Sequence, residues 1–185
     1  AAVPIHTADR LASRKKEQGW GDKWLKTGGL KGFVDGSLGS HTAAMFEPYT
    51  DAPEDYGLIV TEKENMHGMV EKGDQIGAQL IVHAIGDHAN NMILDIYEDV
   101  IKENGPRDRR FRIEHAQHLI PSDIKRFAEL NVIPSMQPYH CIDDGRWAEP
   151  LIGKKRMQTT HAYRSLLKND AHLIFGSDWY VAPPS

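Results

Sequence analysis

The sequence holds a single cysteine, Cys141, in 185 residues, which excludes an intrachain disulfide and any cysteine-based zinc cluster. A lone cysteine is also a weak basis for thiol catalysis, because most such residues serve packing. Long apolar runs are missing as well. No stretch approaches the roughly 18 to 20 residues of a membrane span, so no membrane partner is expected. Nor is there a large surplus of either charge: 22 Lys and Arg stand against 26 Asp and Glu, scattered rather than gathered, which leaves no footprint for nucleic acid. No repeat, low-complexity tract or Pro/Ser-rich linker divides the chain. An initiator Met and a leader pattern are absent from Ala1-Ala2-Val3-Pro4-Ile5, and the sequence stops after Pro183-Pro184-Ser185. The expectation is one incomplete domain over residues 1–185, because a full eight-unit α/β barrel takes about 250 residues. Its compartment is not legible, with the cytoplasm the default, and self-association is left open.

An apolar fraction of 40% argues for a folded, soluble chain rather than a disordered one. Short apolar runs alternate with longer segments of helical period, the pattern of βα units around a parallel sheet. The runs are Ala2 to Ile5, Leu30 to Val34, Gln79 to Ala84, Phe111 to His115, Val132 to Met136 and Ala171 to Phe175. Ala89, Met92, Ile93, Ile96, Tyr97, Val100 and Ile101 repeat at the spacing of a helix with one buried stripe, ended by Gly105 and Pro106. Thr61 and Glu64 have capping-box spacing ahead of Met66, Met69 and Val70. Ser122 reads as the N-cap of a helix carrying Ile124, Phe127, Ala128 and Leu130, and Thr159 or Thr160 as the start of one carrying Tyr163, Leu166 and Leu167. Gly36 to Gly57 is the one long connection, and loops of that length are usually functional or disordered.

Active sites of parallel βα folds lie at the carboxyl ends of the strands. Leu80-Ile81-Val82 runs into His83, Phe111-Arg112-Ile113 into Glu114 and His115, and Leu173-Ile174-Phe175 into Gly176, Ser177 and Asp178. His83 and His115 are 32 residues apart, and His115 and Asp178 are 63 apart. At about 30 residues per βα unit, these intervals are one unit and two. Two imidazoles and a carboxylate at one depth suit a divalent ion with a position open for water. A single histidine at a strand end is more often a hydrogen-bonding loop residue, so the shared register carries the reading. Lys31, inside the run from Leu30 to Val34, is open to two readings: a lysine facing solvent from an edge strand, or a desolvated amine able to form a carbamate that bridges two metals.

Five motifs occur in one order: Asp35-Gly36-Ser37-Leu38-Gly39-Ser40, Val82-His83-Ala84-Ile85-Gly86-Asp87, Arg112-Ile113-Glu114-His115-Ala116-Gln117, Ser135-Met136-Gln137-Pro138 and Gly176-Ser177-Asp178-Trp179. Together they resemble the amidohydrolase superfamily, in the branch that holds N-substituted formamide deformylases and YtcJ-like hydrolases. The resemblance runs from about Trp24 to the end of the chain. It implies an α/β fold, a partial TIM (β/α)8 barrel of about strands 3 to 8. His83 and His115 would be metal ligands on the fifth and sixth strands, Asp178 the carboxylate of the eighth, and Lys31 the carbamylated bridge on the fourth. The His-x-His pair of the first strand is absent, and Ile5-His6-Thr7 does not supply it.

The expected chemistry is hydrolysis of a small-molecule amide, formamide or related C–N bond by metal-activated water. One or two divalent ions, zinc first, would serve as cofactor, with Asp178 as general base. Glu114 and Asp87 stand next to candidate ligands and could orient them. Gln137 and His140 follow the fifth run and could reach substrate. Two rivals stay open: a Schiff-base lyase using Lys31, and an inert fragment with uncovered sheet edges.

Overall fold

A computed structural model describes residues 2–27 and 29–183. Six strands form one sheet in the order β1-β2-β3-β4-β5-β6, every neighbouring pair parallel. They are β1 (Ala2–Pro4), β2 (Gly29–Phe33), β3 (Gln79–Ala84), β4 (Arg112–His115), β5 (Ile133–Met136) and β6 (Ile174–Phe175). Among the described residues, seven α-helices fill the connections: α1 (Ala8–Gln18), α2 (Lys63–Gln75), α3 (Asp87–Asn104), α4 (Arg126–Glu129), α5 (Pro138–Asp144), α6 (Ala148–Met157) and α7 (Tyr163–Lys168). Strands that add in sequence order, each reached through helical crossovers, form an arc of a (β/α)8 barrel. The expected fold class is the observed one. None of the helices is long and apolar enough to cross a membrane, among the described residues.

Strand alternation separates two faces. Leu30, Leu80, Val82, Ala84, Ile113 and Met136 are buried in the main core, together with Met66 and Val70 of α2 and Ala89, Ile93, Ile96, Tyr97 and Val100 of α3. The opposite face carries Phe33, His83, Glu114, Ser135 and Ile174 as one row of register partners. Lys31, Ile81, Arg112 and Ile133 form the next row toward the amino ends. In a barrel this second face is the interior.

Helix α3 follows the expected stripe, and Gly105 ends it at φ +74°, a left-handed conformation that glycine adopts at little cost. The expected caps are not used. Glu62, not Thr61, precedes α2, with no side-chain cap bond. Ser122 lies inside a 3-10 turn, Pro121–Asp123. Ala162 precedes α7, and Thr160 instead donates its hydroxyl to the Arg156 carbonyl. Leu167, expected to face inward, is exposed. Residues 36 to 57 contain no helix or strand, yet they build a second core: Leu38, Ala43, Met45 and Tyr49 are buried with Ile85 of the β3 end and Ala148 and Ile152 of α6. Gly86 makes this docking possible, because a Cβ there would stand 1.9 Å from the Ala44 carbonyl oxygen.

Candidate metal centre

A cleft of about 450 Å³ opens at the carboxyl end of the sheet. Lys31 of β2, His83 of β3, His115 of β4, His140 of α5 and Asp178 after β6 all line it. Among the described residues, the ligand atoms of His115, His140 and Asp178 lie within 4.8 Å of one another. This set differs from the expected one by a member: His140 stands in it where His83 was expected. His83 is adjacent, its ring centroid 4.6 Å from that of His115.

His115 reaches the cleft through a break in strand geometry. Its register partner is Ala84, a core residue, so plain alternation would send its ring under the helices. Left-handed φ values at His115 (+74°) and Ala116 (+43°) turn the chain there, and the ring stands beside His83. A non-glycine residue with positive φ is uncommon and costs backbone energy. Gln137 then fixes the ring: its Oε1 accepts from His115 Nδ1 at 2.8 Å, while its own Nε2 donates to the Ser135 carbonyl. With the proton on Nδ1, Nε2 is left with a free lone pair. Burial, then the neighbouring His83 and Lys31, push the His115 pKa down to about 3, so the imidazole is neutral and no proton has to leave Nε2 before it can ligate.

His83 is held from another side. Its Nε2 is 2.8 Å from the Gly36 carbonyl oxygen, to which it donates, and 3.4 Å from Asp35 Oδ1. That donation leaves Nδ1 as the available lone pair. Asp35 is buried and accepts the backbone N–H groups of Ala44, Ile85 and Gly86, so one carboxylate joins the β2 end, the β3 end and the long loop around His83. Sequence reasoning missed this residue although it opens the first motif; an acidic residue followed by Gly-Ser was the available signal. Asp87, expected to orient an imidazole, instead accepts from the Phe46 N–H at 3.0 Å and anchors the loop. Glu114 is the register partner of His83, and its carboxylate lies 2.5 Å from Arg112 Nε in an ion pair.

His140 Nε2 is buried with no hydrogen-bond partner among the described residues, and its ring stacks on His115 at 5.7 Å. Lys31 is partly buried, with its Nζ 4.8 Å from the Phe33 ring centroid. Burial lowers its pKa to about 8, against the raising influence of Glu114 and Asp178. Imidazoles, a carboxylate and an amine of lowered pKa make a donor set suited to a divalent cation.

Comparison with known proteins agrees with this picture. A model described as Amidohydrolase family matches residues 3–185. Protein LONG AFTER FAR-RED 3 of Arabidopsis thaliana is 46% identical over 97% of this chain and 31% of its own length. Putative amidohydrolase YtcJ of Bacillus subtilis is 34% identical over 98% of this chain and 33% of its own. The chain thus spans about a third of these curated relatives. An uncharacterized metal-dependent hydrolase from Pyrococcus furiosus superposes with a TM-score of 0.87 at 31% identity, over all of this chain and 37% of that one. Strand order, motif order and similarity over nearly every residue converge, and the chain belongs to the amidohydrolase family.

Proposed function

We propose that this chain is the metal-holding part of a hydrolase that cleaves C–N bonds in small, non-peptide amide-type substrates, and that its 185 residues form one incomplete barrel domain. The observation that carries the reading is the convergence of His115, His140 and Asp178 within 4.8 Å. The orphaned His140 Nε2 supports it further, because an unmet buried nitrogen costs about 1–3 kcal/mol and a cation would satisfy it.

His115, His140 and Asp178 would hold the ion, zinc first, with His83 beside them. A divalent cation at such a site lowers the pKa of a water from about 16 toward 7 and polarises a carbonyl. Asp178 acts as general base: its carboxylate takes a proton from the attacking water and hands it to the leaving nitrogen. Gln137 and the Asp35–Gly36 pair hold their imidazoles in one tautomer each, which leaves one ring nitrogen of each without a proton. Lys31, its pKa lowered to about 8, can lose its ammonium proton to solvent, and the free amine can then add carbon dioxide and release a second proton to become an anionic carbamate in the same cleft.

Elemental analysis and an amide-library screen, on this chain and on a version extended to the length of its relatives, test the reading. Stoichiometric divalent metal and chelator-sensitive hydrolysis of at least one amide by the extended protein are expected. Undiminished hydrolysis without metal, or a Lys31 adduct trapped by borohydride, would overturn it in favour of Schiff-base chemistry.

A further inference from the structure

Two tryptophans close in sequence are used in opposite ways. Trp20 packs against the main core, with Lys15 Nζ 4.9 Å from its ring centroid. Trp24 and the adjoining Leu25 are instead 85% and 66% exposed. The turn that carries them is ordered. Gly21 pairs with Lys26 in an antiparallel bridge, the Thr27 N–H donates to the Trp20 carbonyl at 3.0 Å, and the Asp22 N–H donates to that of Leu25 at 2.9 Å. Asp22 Oδ1 accepts in return from the N–H groups of Trp24 and Leu25, at 2.7 and 2.9 Å. Gly21 lies at φ +106°, and a Cβ there would stand 2.1 Å from the Leu25 carbonyl oxygen, so the turn closes only on glycine. A fixed backbone thus holds two large apolar side chains in solvent. Because the turn joins α1 to the start of β2, it stands at the amino end of the sheet, away from the cleft.

The charge around this tip is opposite in sign to that of the whole chain. Residues 14–27 hold five Lys and Arg against two acidic residues, whereas the full sequence holds 22 against 26. Lys16, Lys23 and Lys26 are exposed, and Lys23 Nζ lies 5.2 Å from the Trp24 ring centroid. From this we propose that the turn docks on a lipid bilayer with anionic headgroups, Trp24 and Leu25 entering the boundary between headgroups and acyl chains while the lysines meet the headgroup charge. Tryptophan favours that boundary because its ring is apolar and its N–H finds a polar partner there. Lysines near an anionic leaflet add electrostatic attraction. A protein partner fits this tip less well, since two side chains supply little of the roughly 800 Å² per partner that a stable interface buries. Such docking is contact with one leaflet and not a span, and it leaves the cleft at the opposite end of the sheet open to solvent.

Vesicle cosedimentation tests this with the 185-residue chain and with a version extended to the length of its relatives, on phosphatidylcholine alone and on phosphatidylcholine with about 30 mol% phosphatidylserine. Both proteins are expected to bind the anionic vesicles at least about 10-fold more tightly than the neutral ones, and more weakly as salt rises. Trp24→Ala and Leu25→Ala should each weaken binding about 10-fold, Lys23→Gln about 5-fold, and Trp24→Phe should retain most of it. Trp179→Ala, at another exposed tryptophan, should leave vesicle binding unaltered. Lipids brominated on their acyl chains should quench the part of the fluorescence that Trp24→Ala removes. All these positions are exposed, so thermal melts of the variants should match the wild type and keep the comparison one of folded proteins. No binding to anionic vesicles, equal affinity for neutral ones, or full binding by Trp24→Ala would each overturn the proposal. Equally tight binding to polyglutamate would overturn it in favour of an acidic protein partner. Binding by the short chain alone would also overturn it, by showing that the longer protein covers the tip.

Discussion

The two ends of the sheet treat buried polar groups in opposite ways. At the amino end, the fully buried Asp74 of α2 accepts Arg109 Nε at 2.9 Å and Nη2 at 3.1 Å, Asn104 Nδ2 at 2.9 Å and the Arg107 guanidinium. Charge and lone pairs are matched there, and the cluster staples α2 to the segment leading into β4. At the carboxyl end, His140 Nε2 has no hydrogen-bond partner among the described residues, His115 is neutral and left-handed backbone is held at His115, Ala116 and Asp178. One end spends its polar groups on stability and the other leaves donors open for a ligand. The same sheet serves both because its amino end closes over helix termini while its carboxyl end opens into loops.

Substitutions should separate the two ends. The largest effect is expected from Asp74→Ala, which strands two guanidinium groups and should lower unfolding stability by about 3–5 kcal/mol in a denaturant titration, with metal affinity of the folded fraction retained. Asp35→Asn should do the reverse in kind: zinc affinity falls about 10- to 100-fold by calorimetry, and the 15N shifts of His83 report a mixture of tautomers where the wild type shows Nε2–H alone. Loss of stability without loss of affinity would move Asp35 to the structural class.

Acid sharpens the comparison further. Burial, with His161 and Arg156 nearby, lowers the His118 pKa from 6.5 to about 3. Below pH 6.5 the unfolded chain therefore takes up a proton that the folded chain refuses, so this stability is complete above 6.5 and is lost as the pH falls. The expected slope from this group is about 1.4 kcal/mol per pH unit, seen as a drop in Tm from pH 6.5 to 4.5 that His118→Gln makes shallower, the remainder belonging to His115. The smallest effect is expected for Thr61→Ala. Thr61 makes no cap bond to α2, so the change should stay within about 0.5 kcal/mol; a loss near 1 kcal/mol would reinstate the capping box.

The sheet was legible in the sequence because each strand is a short apolar run ended by a polar residue, and α3 because its stripe runs along a helix of 18 residues. Helices that bury little were not legible. In α1 only Ala8 and Leu11 are buried, and in α5 none, so neither leaves a periodic trace. The core of the 36-to-57 loop escaped for a related reason: Leu38, Ala43, Met45 and Tyr49 follow no fixed period, since only the folded loop brings them together. At the site, residue types at strand ends could be read, but not direction. The positive φ of His115 is a tertiary compromise, and His140 enters the cluster from a helix that no pattern announced. Asp35 shows the converse, a residue in plain view in a motif whose role appears only through the three amides it gathers.

The most direct test of the account is a zinc titration of the wild-type chain beside His140→Ala and His115→Ala. Each substitution is predicted to weaken zinc at least about 100-fold, or about 2.7 kcal/mol, while leaving the thermal transition of the metal-free protein close to that of the wild type. Wild-type affinity retained in both variants would contradict a metal centre built on these imidazoles.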